Sequence, residues 1–161
     1  MRKTDPDFDL FMTKNQNIFN TVASYHIHLL MRVDEMNEIV KSFGHNAGKV
    51  WTTLKEDGPL VQTKLIKKTN MRNDEFYGAI GWLAREGKIY RDKRTYRIGE
   101  TNLTDKIGSD AGKVWSVIGR NEIDVSAIVR LSKINKNDCY SALGWLAREG
   151  KITAKVTVKK K

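Results

Sequence analysis

The chain has 161 residues, 40% of them hydrophobic and 30% charged, and its 29 Lys and Arg against 19 Asp and Glu give a net charge of +10. This composition is typical of a soluble globular protein, and the longest apolar run, Ile27–Met31, is far too short to span a bilayer. The first residues lack the apolar segment of a signal peptide, and one cysteine cannot form a disulfide framework, so we expect a cytoplasmic protein with no membrane segment.

The positive charge is concentrated after residue 44. Residues 1–44 contain five Lys and Arg against six Asp and Glu, whereas the rest of the chain contains 24 against 13. Such an excess suggests a polyanionic partner, nucleic acid first and an acidic protein or membrane surface second, although a basic surface often serves only solubility.

The first segment, residues 1–37, carries one amphipathic pattern. Residues that would lie on one side of a helix, called the seam here, recur at alternating spacings of three and four. They are Phe19, Val22, His26, Leu29, Val33, Met36, Val40 and Phe43. The spacing predicts a helix whose seam (Phe19, Val22, Leu29, Val33, Met36) is buried in a homodimer, against a protein partner or across the rest of the chain. We expect no metal at His26 and His28, which face different sides of such a helix. Alternatively, residues 1–35 are not part of the natural protein, because a stretch starting at Met36 already aligns with the second repeat.

Two strings of residues occur twice and identify a tandem repeat. The string Ala47–Trp51 recurs as Ala111–Trp115, and Gly81–Ile89 recurs as Gly144–Ile152. The copies are 64 residues apart at the first string and 63 at the second, so one residue has been lost between them, beside the turn at Gly58. A repeat of this length favours two small domains.

The first helix of each repeat is predicted from its apolar face. In the first copy this face consists of Ala47, Val50, Trp51 and Leu54. Asn46, like Asp110 in the second copy, is placed to cap the helix. Trp51 and Trp115 are expected to lie in the core.

A second helix is predicted over residues 60–69 and again over 123–132. A short connection follows it, with a single apolar residue at Met71 and at Ile134. Two helices joined by so tight a turn indicate a helix-turn-helix.

The third helix of each repeat has a continuous apolar stripe. The stripe consists of Phe76, Ala79, Ile80, Leu83 and Ala84, matched by Cys139, Ala142, Leu143, Leu146 and Ala147. Gly87 and Gly150 are placed to end these helices. Asn135 and Asp138 have the spacing of a capping box, which makes Glu75 the equivalent first-turn acid.

The opposite side of the third helix is predicted to face solvent. It carries Asn73, Tyr77, Gly78, Gly81 and Arg85, echoed by Lys136, Tyr140, Ser141, Gly144 and Arg148. Glycine inside a helix costs up to about 1 kcal/mol relative to alanine, so Gly81 and Gly144 indicate a close approach to the backbone. The group that approaches the backbone there is a DNA groove edge, a partner helix or the other repeat, and the sequence does not rank these three. Tyr77 and Tyr140 either contact phosphate or cover the edge of the second helix.

A β-hairpin is predicted after the third helix of the first repeat, with strands over 88–91 and 95–98. Its inward residues are Ile89, Tyr96 and Ile98, and its outward residues are Arg91, Lys93, Arg94 and Arg97. Trp82 and Trp145 are expected to pack under the strands that follow them. The second copy alternates over Ile152–Val158 without a turn residue and ends in three lysines. It predicts a shortened wing or a single strand with a basic tail.

Three helices followed by a hairpin form a winged helix-turn-helix, and the duplicated strings closely resemble a small winged-helix family of bacteria and archaea whose function is uncharacterised. The resemblance covers residues 38–98 and 102–158 and implies a mainly α fold with small β, with DNA binding as the expected activity. We therefore predict an N-terminal extension over 1–37, a first winged helix domain over 38–98, and a second over 99–161. The tandem arrangement, the weak second wing and the unmatched leader depart from the family pattern.

The leading functional prediction is a DNA-binding, transcription-regulatory protein whose two winged helices act as a pseudo-dimer on double-stranded DNA. The third helix would enter the major groove while the wing and second helix neutralise phosphates. The predicted contacts are Lys64, Lys67, Lys68, Asn73, Tyr77, Arg91, Lys93, Arg94, Arg97, Lys133, Lys136, Asn137, Tyr140 and Lys155. The alternative is a protein-interaction scaffold that uses the Gly78 and Gly81 strip and the leader seam. The distribution of basic residues discriminates between the two hypotheses. Basic residues clustered with the third helix on one face favour DNA binding, whereas basic residues scattered over the surface favour protein docking.

We expect no enzymatic activity, no metal and no cofactor. The repeats share no Ser/His/Asp, Cys/His or paired-carboxylate constellation, and His45 has no counterpart in the second copy. Cys139 replaces Phe76 of the first copy and is interpreted as a small buried hydrophobe rather than a nucleophile.

Overall fold

A computed structural model describes residues 40–118 and 123–152, in which the chain forms six helices and one antiparallel sheet of three strands. In chain order the elements are α1 (40–57), β1 (Leu60–Val61), α2 (Gln62–Thr69), α3 (Asn73–Arg85), β2 (Ile89–Asp92), β3 (Thr95–Ile98), α4 (Thr104–Ile118), α5 (Val125–Ser132) and α6 (Lys136–Arg148). This agrees with the predicted mainly α fold with small β. The predicted leader helix and the second wing, including Lys155, lie outside the described residues.

The first helix of each repeat extends beyond its predicted start. Residue 40 is already helical and α4 begins at Thr104, so Asn46 and Asp110 lie inside helices, and the prediction that they cap them is wrong. Both side chains are buried, with 7% and 3% of their surface exposed. The Asp110 carboxylate accepts hydrogen bonds from Lys106 and Lys113, which compensate its burial.

The second helix of the first repeat begins two residues later than predicted, because Leu60 and Val61 form a strand. This strand pairs antiparallel with β3, Leu60 opposite Tyr96, and β3 pairs with β2 to give the sheet order β1-β3-β2. The hairpin has the predicted orientation, with Ile89 and Tyr96 fully buried. Lys93 forms its turn with a left-handed backbone, φ 51°.

The predicted helix ends are confirmed. Gly87 and Gly150 follow α3 and α6 with φ of 72° and 67°, a backbone conformation that favours glycine. At the start of α6, Asn135 Oδ1 accepts a hydrogen bond from the Asp138 N–H at 2.9 Å, and Glu75 accepts one from the Arg72 N–H at 2.9 Å at the start of α3. The Asn135 amide therefore caps α6 and the Glu75 carboxylate caps the start of α3, and the first-turn acids Asp138 and Glu75 also interact favourably with the helix dipole.

Two apolar cores contain the predicted stripes of α3 and α6. In the first, Phe76 packs edge to face on Tyr96, with ring centroids 5.5 Å apart, and the second is centred on Cys139 and Val114. The predicted core position of Trp115 is wrong, because its side chain is 48% exposed, and Trp51 is only partly buried.

The cores also exchange residues between repeats. Phe43, from the first turns of α1, lies in the second core, and its counterpart Ile107, from α4, lies in the first. The connection between the repeats, residues 99–103, is fastened to β2, since Asn102 donates to the Arg91 carbonyl at 2.8 Å and accepts from its N–H at 3.0 Å. The two repeats are thus interlocked.

No helix in the described part of the chain is long and apolar enough to cross a membrane.

The Phe76 ring should be essential to the first core. Its side chain has no exposed surface, so Phe76→Ala should lower the free energy of unfolding by about 3–5 kcal/mol. Thr52→Ala, at an exposed position of α1, should change it by less than about 0.5 kcal/mol. Chemical denaturation measures both, and equal effects would contradict the core assignment.

Candidate nucleic-acid interface

The third helices of the two repeats, α3 and α6, pack directly on each other. Residues from the first turns of both helices line one shared cleft, and residues from both last turns exchange ion pairs. The two helices therefore lie side by side and run in the same direction, related by the same pseudo-twofold symmetry that relates the repeats.

The glycine strip is the contact between them. A Cβ placed on Gly81 would overlap the carbonyl oxygen of Ser141, and one on Gly144 would overlap the carbonyl oxygen of Gly78. A Cβ on Gly78 would also overlap the Phe43 ring. The group that approaches the backbone is thus the other repeat, and the prediction that this side faces solvent is wrong for these four residues, all of which are buried.

At the last turns, reciprocal ion pairs close the interface. Arg85 Nε lies 2.7 Å from Glu149 Oε1, and Arg148 Nε lies 2.7 Å from Glu86 Oε1. Burial opposes ionisation of each glutamate, but hydrogen bonds from the lysine two residues later in the chain and from the facing arginine outweigh it and lower the pKa of Glu86 and of Glu149.

The tryptophans beside the strip contribute to this interface. The Arg85 guanidinium lies 5.4 Å from the Trp145 ring, and that of Arg148 lies 5.5 Å from the Trp82 ring. A Cβ on Gly44 would lie 3.1 Å from Trp82. The Trp82 ring therefore lies between helices of the two repeats, a contact that was not predicted, and the strand predicted to follow Trp145 lies outside the described residues.

The first turns of α3 and α6 remain accessible. They border an open cleft of about 360 Å³, lined by Arg72, Asn73, Asp74, Lys136, Asn137 and Tyr140. Asn73, Lys136 and Asn137 are exposed. Burial and the nearby Asp74 carboxylate raise the pKa of Tyr140. Arg72 also lines the cleft but was not predicted as a site residue. Its basic side chain immediately before the predicted third helix is the signal that could have identified it.

The other predicted tyrosine covers the edge of the second helix. Tyr77 OH accepts a hydrogen bond from Gln62 Nε2 at 2.8 Å, and the Gln62 N–H donates to the Arg94 carbonyl at 2.8 Å. Tyr77 lies one helical turn after Asn73. Hydrogen bonds therefore link the hairpin turn, the start of α2 and the part of α3 one turn from the cleft. We call the exposed side of these segments, together with the cleft, the wing-to-cleft surface.

Most of the predicted basic contacts are exposed. On α2 and the hairpin, Lys64, Lys67, Lys68, Lys93, Arg94 and Arg97 are exposed and Arg91 is partly buried; in the second repeat, Lys133 and Lys136 are exposed. Lys68 is engaged with Asp57 at 3.0 Å. The Arg97 guanidinium lies 3.9 Å from the Tyr90 ring, which holds the side chain on the hairpin.

The helix pairing limits how DNA could be bound. Helix-turn-helix dimers place their recognition helices in successive major grooves, about 34 Å apart. Because α3 and α6 are in backbone contact, they cannot occupy two such grooves. Their first turns line one cleft, so a ligand bound there would meet both helices together.

Within residues 40–118 and 123–152, no group of three or more His, Cys, Asp or Glu side chains could hold a metal ion. The Cys139 thiol is fully buried, and burial raises its pKa to about 11. It therefore packs as the predicted small hydrophobe.

The comparisons with known proteins identify one family. Its model, described as a winged helix-turn-helix domain (DUF2582), matches residues 36–99 and again residues 103–160. The two matches confirm the tandem winged helix-turn-helix fold and the family resemblance of the duplicated strings. No curated protein and no solved structure matches the chain.

The glycine strip makes a sharp prediction for stability. Gly81→Ala should destabilise the protein by roughly 1–3 kcal/mol, because the new Cβ overlaps the Ser141 backbone and the helices must move apart. Gly48→Ala is the matched control: a Cβ there meets nothing within 4 Å, so it should stabilise α1 by up to about 1 kcal/mol. Thermal denaturation should therefore show a lower melting temperature for Gly81→Ala and a higher one for Gly48→Ala. An unchanged melting temperature in Gly81→Ala would contradict the close packing.

Acid should weaken the helix pairing. The folded pKa values of Glu86 and Glu149 lie below their ordinary value of 4.5, so their stabilisation is fully present above that pH and is lost as the pH falls through the folded values. The double variant Glu86→Gln with Glu149→Gln should show a shallower fall of the melting temperature below about pH 4.5. The exposed control Glu100→Gln should retain the steeper fall, and an unchanged profile in the double variant would contradict the assignment.

Proposed function

The chain belongs to the winged helix-turn-helix domain family DUF2582, and on that premise we propose that it binds double-stranded DNA and regulates transcription. Winged helices also serve as docking modules, so the fold by itself does not decide between the two. The choice rests on the surface that the paired repeats leave accessible.

The observation that carries the proposal is the wing-to-cleft surface. Hydrogen bonds connect the Arg94 turn, the start of α2 and Tyr77 of α3, one turn from the accessible first turns of α3 and α6 that line the cleft. Basic side chains beside such a surface neutralise phosphates, while amides such as Asn73 and Asn137 can hydrogen-bond to base edges. Clustering of basic residues beside the third helix is the arrangement that favours DNA.

In this proposal the pseudo-dimer reads one stretch of DNA. The paired first turns of α3 and α6 approach a single groove together, and the hairpin contacts the adjacent backbone. Two half-sites separated by a full helical turn are not required, because the recognition helices are not separated.

The docking alternative has less support. A partner using the Gly78 and Gly81 strip would have to displace the second repeat, which already occupies it. Two residues of the leader seam already have contacts within the chain, because Phe43 is buried in the second core and Val40 packs against it. We keep a cytoplasmic, non-enzymatic role as part of the DNA-binding proposal.

Affinity for duplex DNA should fall steeply with salt concentration, because bound phosphates release counterions. Arg94→Ala should lower affinity about equally for all sequences and reduce the slope of log K against log salt by about 1. Titrations of several duplexes by fluorescence anisotropy measure both quantities. Lys49→Ala, on α1 outside the wing-to-cleft surface, is the control that should retain the slope, and salt-independent binding or no binding to any duplex would contradict the proposal.

A further inference from the structure

The two repeats differ in charge at equivalent positions of their second helices. The α2 lysines Lys64, Lys67 and Lys68 correspond to Ala127, Arg130 and Leu131 of α5. Residues 60–70 contain three lysines and no carboxylate, whereas residues 123–133 contain one arginine, one lysine and Asp124. The pseudo-symmetry of the backbone is thus not shared by the surface charge.

The α2 lysines are available to an external anion. The buried face of α2 is formed by Leu65 and Thr69, and the lysines lie on its exposed side. Lys68 pairs with Asp57, but Lys64 and Lys67 have no carboxylate partner within the described residues. Two adjacent uncompensated cations on one short helix favour a polyanion over a single ion.

The hairpin extends this charge into one patch. Pairing of β1 with β3, together with the hydrogen bond from the Gln62 N–H to the Arg94 carbonyl, places the start of α2 against the hairpin turn. Lys93, Arg94 and Arg97 are exposed on this hairpin and have no carboxylate partner in the described part of the chain. We call Lys64, Lys67, Lys93, Arg94 and Arg97 the repeat-1 basic patch.

The helices of repeat 2 that are equivalent to α1 and α2 carry exposed apolar side chains. Leu131 is 53% exposed on α5 and Trp115 is 48% exposed on α4. Among its exposed basic residues, Lys106, Lys113, Arg148 and Lys151 pair with carboxylates. Lys133 lies at the turn before α6, and Lys136 lies at the start of α6 and lines the cleft.

We propose that the two repeats divide DNA binding between them, with repeat 1 holding the phosphate backbone through the basic patch and repeat 2 contributing the start of α6. This inference rests on the proposed function and adds an asymmetry to it. The protein would sit on DNA with a fixed polarity, repeat 1 toward the flanking backbone and α6 toward the bases. An internally symmetric site would not be its preferred target.

The test compares two triple variants that remove the same number of charges. Lys64→Ala, Lys67→Ala and Arg94→Ala remove charge from repeat 1, and Arg130→Ala, Lys133→Ala and Lys136→Ala remove it from repeat 2. Each phosphate contact contributes about 0.9 to the slope of log K against log salt. The repeat-1 variant should therefore lower the slope by roughly 2–3 and the repeat-2 variant by at most about 1. Circular dichroism melting verifies that both variants are folded.

A third variant addresses the basic tail, with Lys155, Lys159, Lys160 and Lys161 changed to Ala. A slope reduction as large as that of the repeat-1 variant would overturn the division, because repeat 2 would then grip phosphates as well. Equal reductions in the two triple variants would also overturn it while leaving DNA binding itself intact. Failure of the unaltered protein to bind any duplex would overturn both the division and the proposed function.

Discussion

The architecture depends on the backbone contact between α3 and α6. Gly81 and Gly144 allow each helix to approach a carbonyl of the other so closely that no side chain fits between them. Each glycine costs its helix up to about 1 kcal/mol of intrinsic stability, which the packing across the interface offsets. The tryptophans, the reciprocal arginine–glutamate pairs and the exchanged Phe43 and Ile107 are arranged around this contact.

The same contact determines which parts of the fold can meet a partner. It buries the middle of both third helices, the portion that an isolated helix-turn-helix would offer to a groove, and leaves their first turns accessible. Binding then depends on what surrounds those turns. Repeat 1 supplies a basic hairpin and a lysine-bearing helix, and the described part of repeat 2 supplies an exposed leucine on α5 and the exposed Lys133 and Lys136.

The sequence predicted what local periodicity determines. The stripe from Phe76 to Ala84 is set by the 3.6-residue repeat of a helix, and Gly87 by the left-handed conformation that ends it. The glycines at 81 and 144 signalled a close approach but could not identify the approaching group, because that contact joins residues about 60 positions apart. The predicted starts of the first helices were wrong for a related reason. Asn46 and Asp110 have side chains that often cap helices, but here both are buried in tertiary contacts. A strand of only two residues, such as Leu60–Val61, has no periodicity from which to predict it.

The five-residue connection between β3 and α4, held to β2 by Asn102, has an evolutionary consequence. In a homodimer every substitution appears twice, so a change that suits one half is imposed on the other. Covalent joining removes that coupling and also makes the association independent of protein concentration. Each half can then accumulate its own substitutions while the backbone contact between the halves is retained. Cys139 stands at the position equivalent to Phe76, and Leu131 at the position equivalent to Lys68.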